Sequence, residues 1–125
     1  MSSHRILTVD DSRLSRRAFV AKPLRDAGYE VFEAENGLKG LEAFEEHTPD
    51  IVISDLLMPE MDGFAFVEAL RERGVSCPII VASADIQDTS RQKIDDLGTF
   101  GFLNKPFKPD QLLELVEKAV QELQA

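Results

Sequence analysis

Five polar residues stand at or just past the ends of short apolar runs, and their types suit one chemistry. Asp10 and Asp11 follow Ile6-Leu7-Thr8-Val9, and Asp55 comes after Ile51-Val52-Ile53. Ser83 follows Ile79-Ile80-Val81-Ala82, and Lys105 comes after Phe102-Leu103. Carboxylates gathered at one place repel one another and raise each other's pKa unless a cation lies between them. Oxygen ligands without His or Cys favour Mg2+, which keeps several waters and takes one or two carboxylates plus a phosphate oxygen. Lys105 then supplies positive charge for an added phosphoryl group, and Ser83 a hydroxyl donor to the same group. Taken singly, each residue has an ordinary reading. Asp10-Asp11 and Ser83 would cap helices, Asp55 would serve a turn before Met58-Pro59, and Lys105 would be a solvated lysine. All five on the ends of four separate strands is a pattern that chance rarely makes.

The runs that carry these residues are too short for helices and too continuous for half-exposed strands, so they read as strands covered on both faces. Glu30-Val31-Phe32-Glu33-Ala34 alternates more and reads as a strand nearer the sheet edge. Helices are predicted between them. Ser12 or Asp11 caps the first, which runs to about Ala27 with Gly28 as its stop. Asn36-Gly37 opens the second, with Leu38, Leu41 and Phe44 on its inner face and Thr48-Pro49 at its end. Phe64, Val67 and Leu70 mark the third between Asp62-Gly63 and Gly74. The fourth starts at Asp88 or Thr89, faces the core with Ile94 and Leu97, and closes at Gly98. The last begins at Pro109-Asp110 and carries Leu112, Leu113, Val116 and Val120 inward. Strands alternating with helices imply a (βα)5, doubly wound α/β domain with a parallel sheet. Ligands of such sheets bind outside the carboxyl ends of the strands, where the five polar residues fall.

The chain has 125 residues, the size of a single domain spanning 1–125. Its composition, 43% hydrophobic and 30% charged with eight Phe, supports a packed core rather than disorder. A net charge of −9 repels a phosphate backbone, so direct nucleic-acid binding is not expected. No run approaches the roughly 20 apolar residues of a membrane span, and no signal-peptide pattern opens the chain, which places it in the cytoplasm. A single cysteine, Cys77, excludes an intramolecular disulfide and reads as a small buried hydrophobe. His4 and His47 have no visible partner cluster.

Val9-Asp10-Asp11-Ser12, the stretch from Ile53-Ser54-Asp55 through Leu56-Leu57-Met58-Pro59-Glu60-Met61 to Asp62-Gly63, Ser83-Ala84 and Asn104-Lys105-Pro106-Phe107 occur in that order. By these motifs the whole chain resembles the CheY-like receiver domains of bacterial two-component response regulators. The resemblance implies the strand order 2-1-3-4-5, an order this family itself exemplifies. It implies that Asp55 is the phosphoacceptor, taking a phosphoryl group from a phosphohistidine of a sensor histidine kinase or phosphotransfer protein. Asp11, Asp55 and the Leu57 carbonyl would bind Mg2+ directly, with Asp10 acting largely through water. Lys105 and Ser83 would offset charge on the transferred group. Ser83 and the fifth-strand aromatic, Phe102, would form the switch that changes the surface for a downstream protein partner. Such a protein is not an enzyme acting on other substrates; it catalyses only its own phosphoryl transfer and autodephosphorylation.

Several residues depart from the family pattern or refine it. Phe102 lacks the hydroxyl of a Tyr, so its coupling would work through packing. Leu57 is apolar and Asp85 lies two positions after Ser83, the two places that tune phosphoryl lifetime in this family. Pro23 falls inside the first helix, and the stretch from Asp10 to Gly28 is about one residue longer than usual, so a kink or bulge is expected there. That helix is a common kinase-docking surface. The Lys105-Pro106 bond is expected to be cis. Thr99-Phe100-Gly101 lacks the paired acidic residues of dimerising relatives, which favours a monomer. The Met1-Ser2-Ser3 start favours a natural beginning. The chief alternative is a constitutive interaction module of the same fold that works without phosphorylation. A flavin or nucleotide binder would need phosphate-cradling amides where Asp10-Asp11 stand, and an Asp-x-Asp phosphatase would need a second acid where Leu57 stands.

Overall fold

Apolar side chains every residue or two along five short segments leave no choice but burial from both sides, and the chain achieves it with one sheet between two layers of helix. The computed structural model describes residues 4–56, 58, 61–84 and 88–124. In chain order these form β1 (Arg5–Val9), a π-helical segment (Ser15–Ala21) continuing into α1 (Lys22–Asp26), β2 (Glu30–Ala34) and α2 (Gly37–His47). Then come β3 (Ile51–Ser54), α3 (Gly63–Glu72), β4 (Ile79–Ser83), α4 (Asp88–Asp96), β5 (Gly101–Asn104) and α5 (Pro109–Gln124). The five strands pair in parallel, as their alternation with helices implied, and in the order β2-β1-β3-β4-β5 that the family resemblance implied. Leu57 and Asp85 lie outside the described residues.

Alternation along β1 divides the core. Ile6 packs with Val20, Leu24, Leu112 and Val116 beneath the first helical stretch and α5. Leu7 and Val9 pack with Leu41, Phe66 and Leu70 beneath α2 and α3. Leu56, Val81 and Ile94 form a third cluster with Phe64 and Phe102 against it. Among the described residues no helix is long and apolar enough to cross a membrane.

Side-chain caps set three helix starts. Ser12 Oγ accepts from the Ser15 N–H at 3.2 Å, Asn36 Oδ1 from Lys39 at 2.8 Å and Asp62 Oδ1 from Ala65 at 2.9 Å. Gly28, at φ 98°, ends the first stretch in a conformation that a side chain would resist.

One detail differs from the sequence expectation. Leu38 is 48% exposed, and Gly40 takes the inner position of α2 instead. A Cβ on Gly40 would lie 2.8 Å from the Phe66 ring, so the missing side chain is what lets α2 approach α3. The kink or bulge expected near Pro23 is present as a wide π turn. Lys22 donates its N–H to the Arg17 carbonyl five residues back, and Pro23, with no N–H to give, falls in the first turn of α1. The extra residue is absorbed there without breaking the helix. His47 stacks on Phe32 at 3.8 Å between ring centroids, with the Arg5 guanidinium 5.1 Å from the Phe32 centroid, so its role is packing at the sheet edge.

Cys77 is half-buried, and burial pushes its thiol up to about 11. Because the thiolate is the reactive form, native protein should react with a thiol reagent at pH 8 at least tenfold more slowly than protein in denaturant. A time course of labelling with and without denaturant tests this, and equal rates would contradict it.

Candidate functional site

Strand register sets the site before any side chain acts. The Asp55 N–H donates to the Val9 carbonyl at 2.9 Å, placing the end of β3 beside the end of β1. The Asp10 N–H donates to Ala34 at 3.1 Å, and the Lys105 N–H to the Ser83 carbonyl at 2.9 Å. The carboxyl edge of the sheet thus carries Asp10, Asp11, Asp55, Ser83 and Lys105 together, as their spacing predicted. The Lys105-Pro106 bond is cis.

Carboxylate oxygens of Asp10, Asp11 and Asp55 all lie within 4.8 Å of one another. Asp10 is only 3% exposed, whereas Asp11 is open to solvent. Lys105 Nζ reaches between two of them, 2.7 Å from Asp10 Oδ2 and 3.0 Å from Asp55 Oδ2. The remaining oxygens are also held: Asp10 Oδ1 accepts from the Ser12 N–H at 2.9 Å and Asp55 Oδ1 from the Leu56 N–H at 2.7 Å. Burial alone would lower the Lys105 pKa, but the hydrogen bond and charge of Asp10, joined by those of Asp55, outweigh it and hold the pKa above its ordinary value. Lys105 is therefore a fixed cation throughout the physiological range. Ser83 is wholly buried at the end of β4 and bonds Lys105 through its carbonyl.

The set fits a hard divalent cation on its own chemistry. It offers oxygen donors only, on two carboxylates held by hydrogen bonds and on Asp11, which is exposed enough to keep water in the shell. The Lys105 ammonium already balances part of the charge that such a cation would balance. Beside Lys105 a cleft of about 330 Å3, lined by Ser12, Leu14, Ser15, Phe19, Ala84, Pro106 and Phe107, opens toward solvent.

Phe102 is half-buried against the Leu56, Val81 and Ile94 cluster, and the Arg91 guanidinium of α4 lies 4.5 Å from its ring centroid. Two contacts were not visible in the sequence. Gly63 packs its backbone on the Asp55–Leu56 peptide and donates its N–H to the Leu56 carbonyl at 2.8 Å. Arg16 is buried and donates to the Asp10 carbonyl at 2.8 Å.

A parallel five-stranded sheet of order 2-1-3-4-5, with acids and a lysine at its carboxyl edge, defines a protein of the CheY-like, flavodoxin-type class. Within that class the chain belongs to the response regulator receiver domain family of two-component signalling, whose model matches residues 6–117. It is 37% identical over 119 residues to the chemotaxis protein CheY of Bacillus subtilis, covering 94% of this chain and 98% of that one. It is 34% identical over 119 residues to the DNA-binding transcriptional regulator NtrC of Escherichia coli, where the match covers 95% of this chain and 25% of NtrC. The structure superposes on Vibrio cholerae CheY4 with a TM-score of 0.88 at 36% identity, covering 94% of this chain and 99% of CheY4.

Proposed function

We propose that the chain is a phosphorylation-dependent signalling switch, accepting a phosphoryl group on Asp55 from the phosphohistidine of a sensor histidine kinase or phosphotransfer protein. The observation that carries this reading is the Lys105 ammonium bridging Asp10 and Asp55, a cation already placed where a phosphoryl group on Asp55 would bring negative charge. Asp10, Asp11 and Asp55 are the residues that would hold Mg2+, with the Leu57 carbonyl that the family resemblance adds. When bound, the ion draws charge off the oxygens of the transferring group.

In the transfer, an Asp55 carboxylate oxygen forms the new O–P bond as the P–N bond to the imidazole breaks, and the electron pair leaves with the imidazole nitrogen. The Leu56 N–H orients the carboxylate through Oδ1. Lys105 shifts its ammonium from carboxylate to phosphoryl oxygens without leaving the site. The Ser83 hydroxyl donates to the same group, and its movement, felt through β4, changes the packing of Phe102 and the surface offered to a downstream protein. This chemistry is the protein's own phosphorylation and its hydrolytic reversal. The partners are proteins rather than nucleic acid or membrane, and the working form is a monomer.

Intact-protein mass after incubation with acetyl phosphate is the direct test. The expected result is a Mg2+-dependent gain of one phosphoryl group that is absent from Asp55→Ala. A folded wild type that gains nothing and also fails to bind beryllofluoride would instead support a constitutive interaction module.

A further inference from the structure

Arg16 is a buried cation that the chemistry above does not use. It lies in the π segment, with its side chain 11% exposed, and points at the sheet rather than at water. One arm, Nη1, donates to the Asp10 carbonyl at 2.8 Å, and Nε donates to Glu33 Oε1 at 3.0 Å. Glu33 stands on β2, the strand beside β1, with its own side chain 14% exposed. It also meets Arg25 at 3.2 Å and Arg17 at 3.4 Å. Burial would raise the Glu33 pKa, but hydrogen bonds from Arg16 and Arg25 outweigh it and lower it, so the carboxylate stays ionised. Three guanidiniums around one carboxylate leave surplus positive charge directly behind an acidic edge.

The contact has a geometric consequence. Asp10 and Asp11 leave β1 on successive peptides, and their carboxylates converge only if the peptide joining them holds one orientation. The Asp10 side of that orientation is gripped from two directions: Ser12 N–H on the carboxylate, and Arg16 on the carbonyl. A bidentate guanidinium is suited to this, since its planar fork can hold a carbonyl and a carboxylate at a fixed mutual angle, which a lysine cannot. The wide π turn carries Arg16 and lets Val20 and Ala21 share the buried side with it. Single π turns of this kind tend to occur at functional sites.

We infer that Arg16 is a positioning residue for the divalent cation: clamped between the Asp10 carbonyl and Glu33, it fixes the Asp10–Asp11 peptide and with it the spacing of the two carboxylates. This rests on the proposal that the acidic edge binds Mg2+. Groups that orient metal ligands typically change metal affinity 10–100-fold when removed.

The test is calorimetric titration of Mg2+ into the full chain, with amide shifts of Asp10 and Asp11 followed by NMR. The informative variant is Arg16→Met combined with Glu33→Met, because replacing both members of a buried pair by apolar groups of similar volume often preserves stability. It should stay folded, with a moderate loss from the unpaired Asp10 carbonyl and Arg25, and bind Mg2+ about tenfold more weakly. Arg16→Lys should be weakened in the same direction, whereas Glu33→Gln, which keeps the clamp on the carbonyl, should bind Mg2+ within about twofold of wild type. If the double variant does not fold, the single variants decide. Wild-type affinity in the double variant, or equal losses in Glu33→Gln and Arg16→Lys, would reduce Arg16 to a structural role and overturn the inference while leaving the Mg2+ site intact. A wild type that takes up no Mg2+ would overturn both readings.

Discussion

Lys105→Met is expected to lower the thermal midpoint by roughly 10 °C near neutral pH in EDTA and to slow phosphoryl uptake from acetyl phosphate about 100-fold. The apolar stem is preserved, so the loss falls on the ammonium. Removing one partner of a fully buried ion pair costs about 3–5 kcal/mol; with 19% of the Lys105 side chain exposed, about 2–3 kcal/mol is the fitting range. The cost arises because Asp10 and Asp55 are then left facing each other with no cation between them. One signature separates this from general damage. Saturating Mg2+ should recover much of the deficit, since a ligand that binds only the folded state stabilises it.

The alkaline side follows from the direction of the Lys105 shift. Its folded pKa is raised above the ordinary 10.5, so its contribution is fully present below that value and is lost as pH rises through the folded pKa. The difference between wild type and variant should therefore hold steady from neutral pH to about 10 and shrink only beyond it. Melting curves across that range check the point. A gap that closes already near pH 8 would show that another group is titrating.

Gly63→Ala is expected to be as damaging, for a reason of shape. A Cβ at Gly63 would fall inside the van der Waals boundary of the Asp55 carbonyl oxygen and lie 2.7 Å from Leu56 Cα. Both are backbone atoms, so no rotamer change relieves the overlap, and the start of α3 must move away from β3. Overpacking typically costs about 1–3 kcal/mol, and an overlap with unyielding backbone falls at or above the top of that range, so the alanine's better helix propensity, at most about 1 kcal/mol, offsets only a minor part. A fall of roughly 10 °C in the midpoint is the expected reading. Because the displaced peptide is the one that carries Asp55, acetyl phosphate labelling should fall along with stability. A variant that melts like the wild type would show that the Asp55–Leu56 peptide has slack the structure does not reveal.

The acidic edge was legible because each strand announces its own end. A short apolar run locates the polar residues that follow it at the edge of a parallel sheet, Asp10 directly and Asp55 and Lys105 one position past Ser54 and Asn104. Helix faces were less legible. Leu38 and Gly40 compete for one inner position on α2, and the outcome depends on the Phe66 ring across the interface, which periodicity along one helix does not report. Arg16 was hidden for a similar reason: its burial depends on a wide turn and on a glutamate from another strand. The extra residue and Pro23 did signal that turn, though not what it would bring inward. Gly63 was read as part of a helix start, and only the folded approach of α3 to β3 reveals its contact with Asp55.

Arg71, at the end of α3 away from the acidic edge, donates to four carbonyls: Val75 and Cys77 ahead of β4, and Leu97 and Gly98 just past α4. Thr99 adds a hydroxyl bond to the Ile94 carbonyl at 3.2 Å. The trailing end of α4 is thus moored to two neighbouring turns, while its leading end points toward the edge where Ser83 lies. A helix held at one end responds to a push at the other by swinging about its mooring rather than sliding along its axis. In such a lever the largest displacement falls at the tip and fades toward Gly98, so a push arriving from the acidic edge would emerge as a change of tilt.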